Sequence, residues 1–313
     1  EYNKLSHFWQ IGTAQFLDQS LQTYATNIRM AQLYMQLFDT FKESLGLKER
    51  KYFSWQERNN NLIFIFSAQV LGMAHAPTKT LLDRCYALKK YLKKEIVIIN
   101  TAMQIPAKGQ APFYGLINAT YAEGLSDVKQ LEFKGETFEF HQCENKMPDI
   151  DIIKNVIEMV KTRKPEFILD IGGSDICADL CGLFVPQITI STVFSRIAFS
   201  CGEYQMVDKI LTEEDKGELA ILGVDAQKVK KTPFTFSFKE QTHHFTRKQL
   251  ELWEDKIVLL VVGWRLDQEV DENFLEMLEQ VIKKNDNIAV AFMGKFDLYD
   301  EKIKKYPKLL ENS

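Results

Sequence analysis

The chain has 313 residues, 45% of them hydrophobic and 26% charged, the balance of a globular protein long enough for two domains. Its 39 Lys+Arg against 43 Asp+Glu leave a net charge of -4, which offers no surface for nucleic acid, and 5 cysteines, an odd number, argue against a disulfide framework and for a reducing cytoplasm. No apolar run reaches the ~18 residues of a membrane span, and "EYNKLSHFWQ" lacks the charged head and apolar stretch of a secretory leader.

Residues 14–57 read as helical. Leu17, Leu21, Tyr24, Ile28, Ala31, Leu33 and Leu37 recur near helical spacing, Thr13 to Ser44 holds neither Gly nor Pro, and Gly46 breaks the pattern. "NLIFIFSAQVLG" (61–72) is a continuous apolar run without alternation, which suits a strand buried on both faces of a parallel sheet. A helix follows, with Leu81, Leu82, Cys85 and Leu88 on one stripe and Pro77 in its first turn, where the missing N–H costs nothing. "EIVIIN" (95–100) is another buried strand and completes a right-handed βαβ unit. The segment 130–143 alternates around Lys134-Gly135, as a hairpin or a pair of extended segments would.

Next come an amphipathic helix closed by Pro165, the strand "EFILDIGGSD", the short helix "ICADLCGLF" and the strand "VPQITIST". Strand and helix thus alternate over 61–195, which predicts a doubly wound sheet. Residues 228–256 are polar and irregular, a connection between domains; β/α alternation then restarts with "KIVLLVVG", "DENFLEMLEQVIKKN", "NIAVAFMG" and "LYDEKIKKYPKLL". The expected fold class is α/β: an N-terminal helical segment (1–57) and two Rossmann-like domains (58–240 and 241–313), the second incomplete.

In open α/β sheets ligands bind beyond the carboxyl ends of the strands, which selects four loops. The first runs from Gly72 to Thr78. Its His75 is placed to act as a general base or to donate a hydrogen bond to a phosphate or sugar hydroxyl, or simply to cap the following helix. The second holds Gly172, Gly173, Ser174 and Asp175. The two glycines let a ligand or another backbone approach closely, and Ser174 or Asp175 equally fits an N-cap; the spacing is not that of a dinucleotide fingerprint. In the third, Ser191 to Arg196, hydroxyls and one Arg suit a sugar or phosphate, or merely a polar strand end. In the fourth, Gly263 ends a strand and Arg265 suits a diphosphate or a salt bridge to Asp267 or Glu269. Cys177 and Cys181 are core residues, since no partner pair follows at zinc spacing, and no metal site is expected.

"FIFSAQVLGMAHAPTKTLLDRCYALKK" and "KIVLLVVGWRLDQEVDENFLEMLEQVIKKNDNIAVAFMGKFD" resemble the opening strand–helix units of the two domains of GT-B fold glycosyltransferases, over about residues 61 to 313. The resemblance implies an acceptor domain, then a donor domain, with the active site in the cleft between them. It implies a sugar moved from a nucleotide-sugar, UDP-linked and bound as substrate with no cofactor, to an acceptor hydroxyl or amide on a carbohydrate, lipid-linked or protein acceptor. His75 would be catalytic, Gly72, Thr78, Gly172, Gly173, Ser174 and Asp175 would line the acceptor side, and Gly263 and Arg265 would meet the donor. Two features depart from the family. The Lys that often follows the Arg in this turn is absent, Lys295 being a substitute, and the chain stops before the donor domain's Gly-rich loop and ribose-binding Glu. With Glu1 in place of an initiating Met, this is expected to be a truncated chain that binds donor weakly by itself, active in the cytoplasm and open to homo-oligomerisation. A sugar-nucleotide epimerase of the same architecture and a non-catalytic transferase-like partner subunit stand as alternatives.

Overall fold

A computed structural model describes residues 8, 11, 12, 15, 19–73, 75–103, 121–193, 196–233, 241–263 and 266–313. The chain divides into two compact units, Glu1–Ser237 and Phe238–Ser313.

In the first unit the elements run α1 (Tyr24–Ser44), β1 (Asn59–Ser67), α2 (Ala76–Leu92), β2 (Glu95–Asn100), β3 (Gln130–Phe133), β4 (Glu136–Gln142), α3 (Ile150–Arg163) and β5 (Pro165–Ile171). They continue with α4 (Ile176–Cys181), β6 (Gln187–Ile190), β7 (Tyr204–Val207), α5 (Glu213–Ile221) and β8 (Val229–Lys231). The described strands form one sheet in the order β3-β4-β2-β1-β5-β6-β7-β8. All its pairings are parallel except the β3–β4 hairpin, whose Lys134 (φ 52) and Gly135 (φ 79) give the paired left-handed positions of a two-residue turn.

β1 lies at the centre because every residue from Leu62 to Phe66 is buried. The strand's period of two sends Leu62, Phe64 and Phe66 into one core, with α1, α3, α4 and α5, and Ile63 and Ile65 into the other, beneath α2. This is the doubly wound α/β sheet that the alternation predicts.

The first helix is shorter than expected. Thr23 caps its start by accepting from the Thr26 N–H, and Gly46 (φ 63) follows its end, so α1 occupies 24–44 of the expected 14–57; before it Gln15 is helical and Gln19–Leu21 form a 3-10 turn. Beyond it the Lys51 and Phe53 amides donate to the carbonyls of Leu183 and Phe184, and that backbone is not helical. α1 packs on α4 and α5 through Met30, Tyr34, Leu37 and Phe41, so it belongs to the first unit's core. The elements β7, α5 and β8 were not expected. Part of the predicted connection at 228–256 is therefore strand β8, the sheet's last.

The second unit contains β9 (Ile257–Gly263), α6 (Leu266–Glu269), α7 (Glu272–Lys284), β10 (Ile288–Gly294), α8 (Tyr299–Ile303) and α9 (Pro307–Glu311). β9 and β10 pair in parallel. Leu275, Leu278 and Ile282 of α7 form a stripe that packs against Leu259, Val261 and Val290. Asp271 caps α7 through the Phe274 N–H. Residues 241–251, which lead into this unit, are all exposed.

Candidate functional site

From β1 the chain winds one way, to β2 and then to β4; from β5 it winds the other way, to β6, β7 and β8. β1 and β5 are parallel neighbours, with Ser67 opposite Ile171, so the direction reverses between them and their carboxyl ends share one edge of the sheet. That reversal is the crevice position where open α/β sheets bind ligands. The structure thus brings the loops after β1 and β5 side by side.

The loop after β1 is fastened at several points. Ser67 donates to the Gln69 carbonyl (3.1 Å), and its own carbonyl receives the Thr101 amide (3.0 Å). Thr78, buried in the first turn of α2, accepts the Leu71 N–H at 3.0 Å, and the His75 amide donates to the Gly72 carbonyl at 2.9 Å. His75 holds the N-cap position of α2 without a side-chain capping bond. Its Nδ1 lies 2.9 Å from the Thr78 hydroxyl, and half-burial lowers the pKa of the ring. Gly72 is exposed and has open space around it.

The loop after β5 is built differently. Gly172 (φ 114), Gly173 (φ 73) and Ser174 (φ 58) are all left-handed. A Cβ on Gly173 would meet Ala198 Cβ at 2.8 Å, so this glycine admits the 198–202 backbone, while the Ser174 amide donates to the Phe199 carbonyl. Asp175 is fully buried. It caps α4 through the Ala178 N–H (3.0 Å) and accepts the Thr101 hydroxyl (2.6 Å), tying the ends of β2 and β5; burial pushes its carboxyl up to about 6. Asp170, at the end of β5, is also fully buried. Burial, followed by the nearby carboxyls of Asp175 and Asp179, pushes its pKa well above the usual carboxylate range.

Beneath these loops lies a buried polar network centred on Asp179 of α4, a residue that the sequence analysis does not single out. Its carboxylate accepts from the Tyr34 hydroxyl (2.7 Å), Gln187 Nε2 (2.7 Å), the Ser200 hydroxyl (2.6 Å) and the Cys201 amide (2.7 Å). Burial raises the Asp179 pKa while those bonds oppose the rise; burial, then Asp179, pushes Tyr34 well above its usual value. Room for the network comes from two glycines: a Cβ on Gly182 would strike Gln187, and one on Gly202 would meet Thr189 Oγ1 at 2.8 Å. The available signal was polar side chains at positions whose neighbours are all apolar, Asp179 in "ICADLC" and Gln187 and Thr189 in "QITI".

Of the other expected positions, Ser191 bonds its own loop, donating to the Val193 carbonyl. Arg196 donates through Nε to Gln22 Oε1 (3.2 Å), leaving Nη2 buried without a partner. Gly263 ends β9 in the second unit, where an added Cβ would meet Leu266 Cδ2 at 2.7 Å; Arg265 lies outside the described residues. All 5 cysteines are buried and free. Among the described residues no group of three or more His, Cys, Asp or Glu is placed to hold a metal ion, and no helix is long and apolar enough to cross a membrane.

No family model matches the chain, and no curated protein matches it in sequence. Among solved structures, a mutant O-GlcNAc transferase of Thermobaculum terrenum matches over 98% of this chain and 52% of its own, with TM-score 0.55 and 8% identity. The fold is of the GT-B type. The chain spans about half the length of that transferase. A glycosyltransferase of Rickettsia africae (TM-score 0.44, 10% identity, 81% of this chain and 65% of that one) is more distant. So is a UDP-GlcNAc 2-epimerase of Neisseria meningitidis bound to UDP-GlcNAc (TM-score 0.35, 12% identity, 80% and 69%).

Proposed function

We propose that this chain belongs to a cytoplasmic glycosyltransferase that moves a sugar from a UDP-linked donor to an acceptor hydroxyl or amide. The observation that carries the reading is the placement of His75 beside Gly72 and Thr78 at the sheet edge where the winding direction reverses, with burial favouring its neutral form. A neutral imidazole at such an edge can exchange a hydrogen bond with a reacting oxygen without first losing a proton. The likeness in fold to an O-GlcNAc transferase supports the same class of chemistry. Under this reading Gly72 and Thr78 shape the acceptor side with Gly172 and Gly173. The network beneath keeps Ser174 and Asp175 in place, and Gly263 and Arg265 serve the donor diphosphate.

The test is release of UDP from millimolar UDP-GlcNAc, a concentration that fills even a weak site, compared between the chain and its His75→Ala variant. Release that falls by about 100-fold or more in the variant supports the reading. Equal release from both removes His75 from the chemistry, and no release from either, with UDP-GlcNAc, UDP-glucose or UDP-galactose, defeats the transferase reading.

A further inference from the structure

Thr78 is buried, with 3% of its surface exposed, and its hydroxyl has two partners: the Leu71 amide at 3.0 Å and His75 Nδ1 at 2.9 Å. A backbone N–H only donates, so the Thr78 oxygen is the acceptor in the first bond. Among the described residues the hydroxyl's own proton then has one side-chain acceptor in reach, the lone pair of His75 Nδ1. The opposite arrangement, with Nδ1–H donating to Thr78, would leave a hydroxyl proton buried and unpaired, the costlier state. His75 Nε2 makes no hydrogen bond among the described residues and is not among the buried unpaired atoms.

We infer that Thr78 is a positioning residue that holds the neutral ring of His75 with its proton on Nε2, so the ring offers substrate a hydrogen-bond donor and not a base. The oxygen it meets is then one that carries lone pairs to spare, a phosphoryl or sugar oxygen. This rests on the transferase reading for the identity of that oxygen, but not for the state of the ring. The depressed pKa of the ring agrees with a site that gains nothing from the imidazolium.

The experiment is a two-bond proton–nitrogen correlation spectrum of the full chain labelled with nitrogen-15 in its 5 histidines, recorded above the pH where the ring titrates. The His75 signals are identified by their loss in His75→Gln. The expected pattern is a protonated Nε2 and a bare Nδ1; a protonated Nδ1 overturns the inference. Thr78→Val keeps the shape and removes the hydroxyl, and is expected to give a mixture of tautomers, whereas Thr78→Ser keeps the wild-type pattern. A single Nε2–H tautomer persisting in Thr78→Val would show that Thr78 does not set it. Should the valine variant fail to fold, the wild-type and serine spectra still decide, since a switched tautomer in either defeats the claim. A chain with the expected ring but no UDP release loses only the transferase reading. A chain with Nδ1–H and full UDP release loses only this inference.

Discussion

Asp179 and Glu218 are buried carboxyls with opposite consequences. Asp179 satisfies four donors, and truncating it strands the Tyr34 hydroxyl and the Cys201 amide, whereas Gln187 Nε2 and the Ser200 hydroxyl keep Thr189 Oγ1 within reach. At about 1–3 kcal/mol for each buried unpaired group, Asp179→Ala is expected to cost roughly 4 kcal/mol or more, read as a lowered urea midpoint. Glu218 on α5 is 5% exposed, and burial, then Asp215, raises its carboxyl to about 7 against the pull of Arg196 and Lys209. Because the folded pKa lies above the unfolded one, the native state binds the extra proton. Its contribution is therefore present below the unfolded pKa and is lost as pH rises through 7. Glu218→Gln stays neutral throughout. It should match the wild type near about pH 5 and exceed it by roughly 2–3 kcal/mol near about pH 9, a divergence that thermal melts at the two pH values will show or fail to show.

The two glycine-bearing loops at the sheet edge differ in what their glycines are for. Gly173 is left-handed and its missing Cβ is where Ala198 sits, so Gly173→Ala should cost about 1–3 kcal/mol and displace the 198–202 segment from β6. Gly72 has open space and no left-handed φ, so Gly72→Ala should change stability by no more than about 0.5 kcal/mol. Paired denaturation curves test both, and equal losses would contradict the contrast. β1, α2, β2 and β5 were legible because continuous apolar runs and a helical stripe leave little else for those residues to do, and the loops at their carboxyl ends followed from the strand-end rule. β7 was not legible. In "YQMV" one of the two buried positions belongs to Gln205, whose amide is satisfied by the backbone N–H and C=O of Ala198, a partnership no local pattern announces. α5 did carry a signal, Thr212 and Asp215 at capping-box spacing, in a stretch otherwise without apolar periodicity. The Asp179 network stayed hidden for a different reason: Tyr34 stands 145 residues away in the chain, so its phenol and that carboxylate meet only in the finished fold.

At the scale of the molecule the two units are unequal. The first buries two core layers around a wide sheet, and the second packs one helical layer against two strands, with Leu260 56% and Val262 67% exposed on the other face. Burial fraction rises with size, so the second unit is expected to unfold first, as a separate step of smaller enthalpy in calorimetry; a single transition matching the whole chain's mass would contradict this. The exposed stretch 241–251 has a practical consequence of its own. It presents Arg247 and Lys248 to solvent at the start of the second unit, ahead of β9, and exposed chain outside a packed core is where proteases nick first. Brief trypsin treatment should therefore cut there before anywhere in the packed strands and helices of either unit, leaving a large fragment that carries His75, Thr78 and Asp179 intact. The tautomer spectrum and the urea midpoint could then be repeated on that fragment, and unchanged values would mean that this half of the machinery assembles without the other.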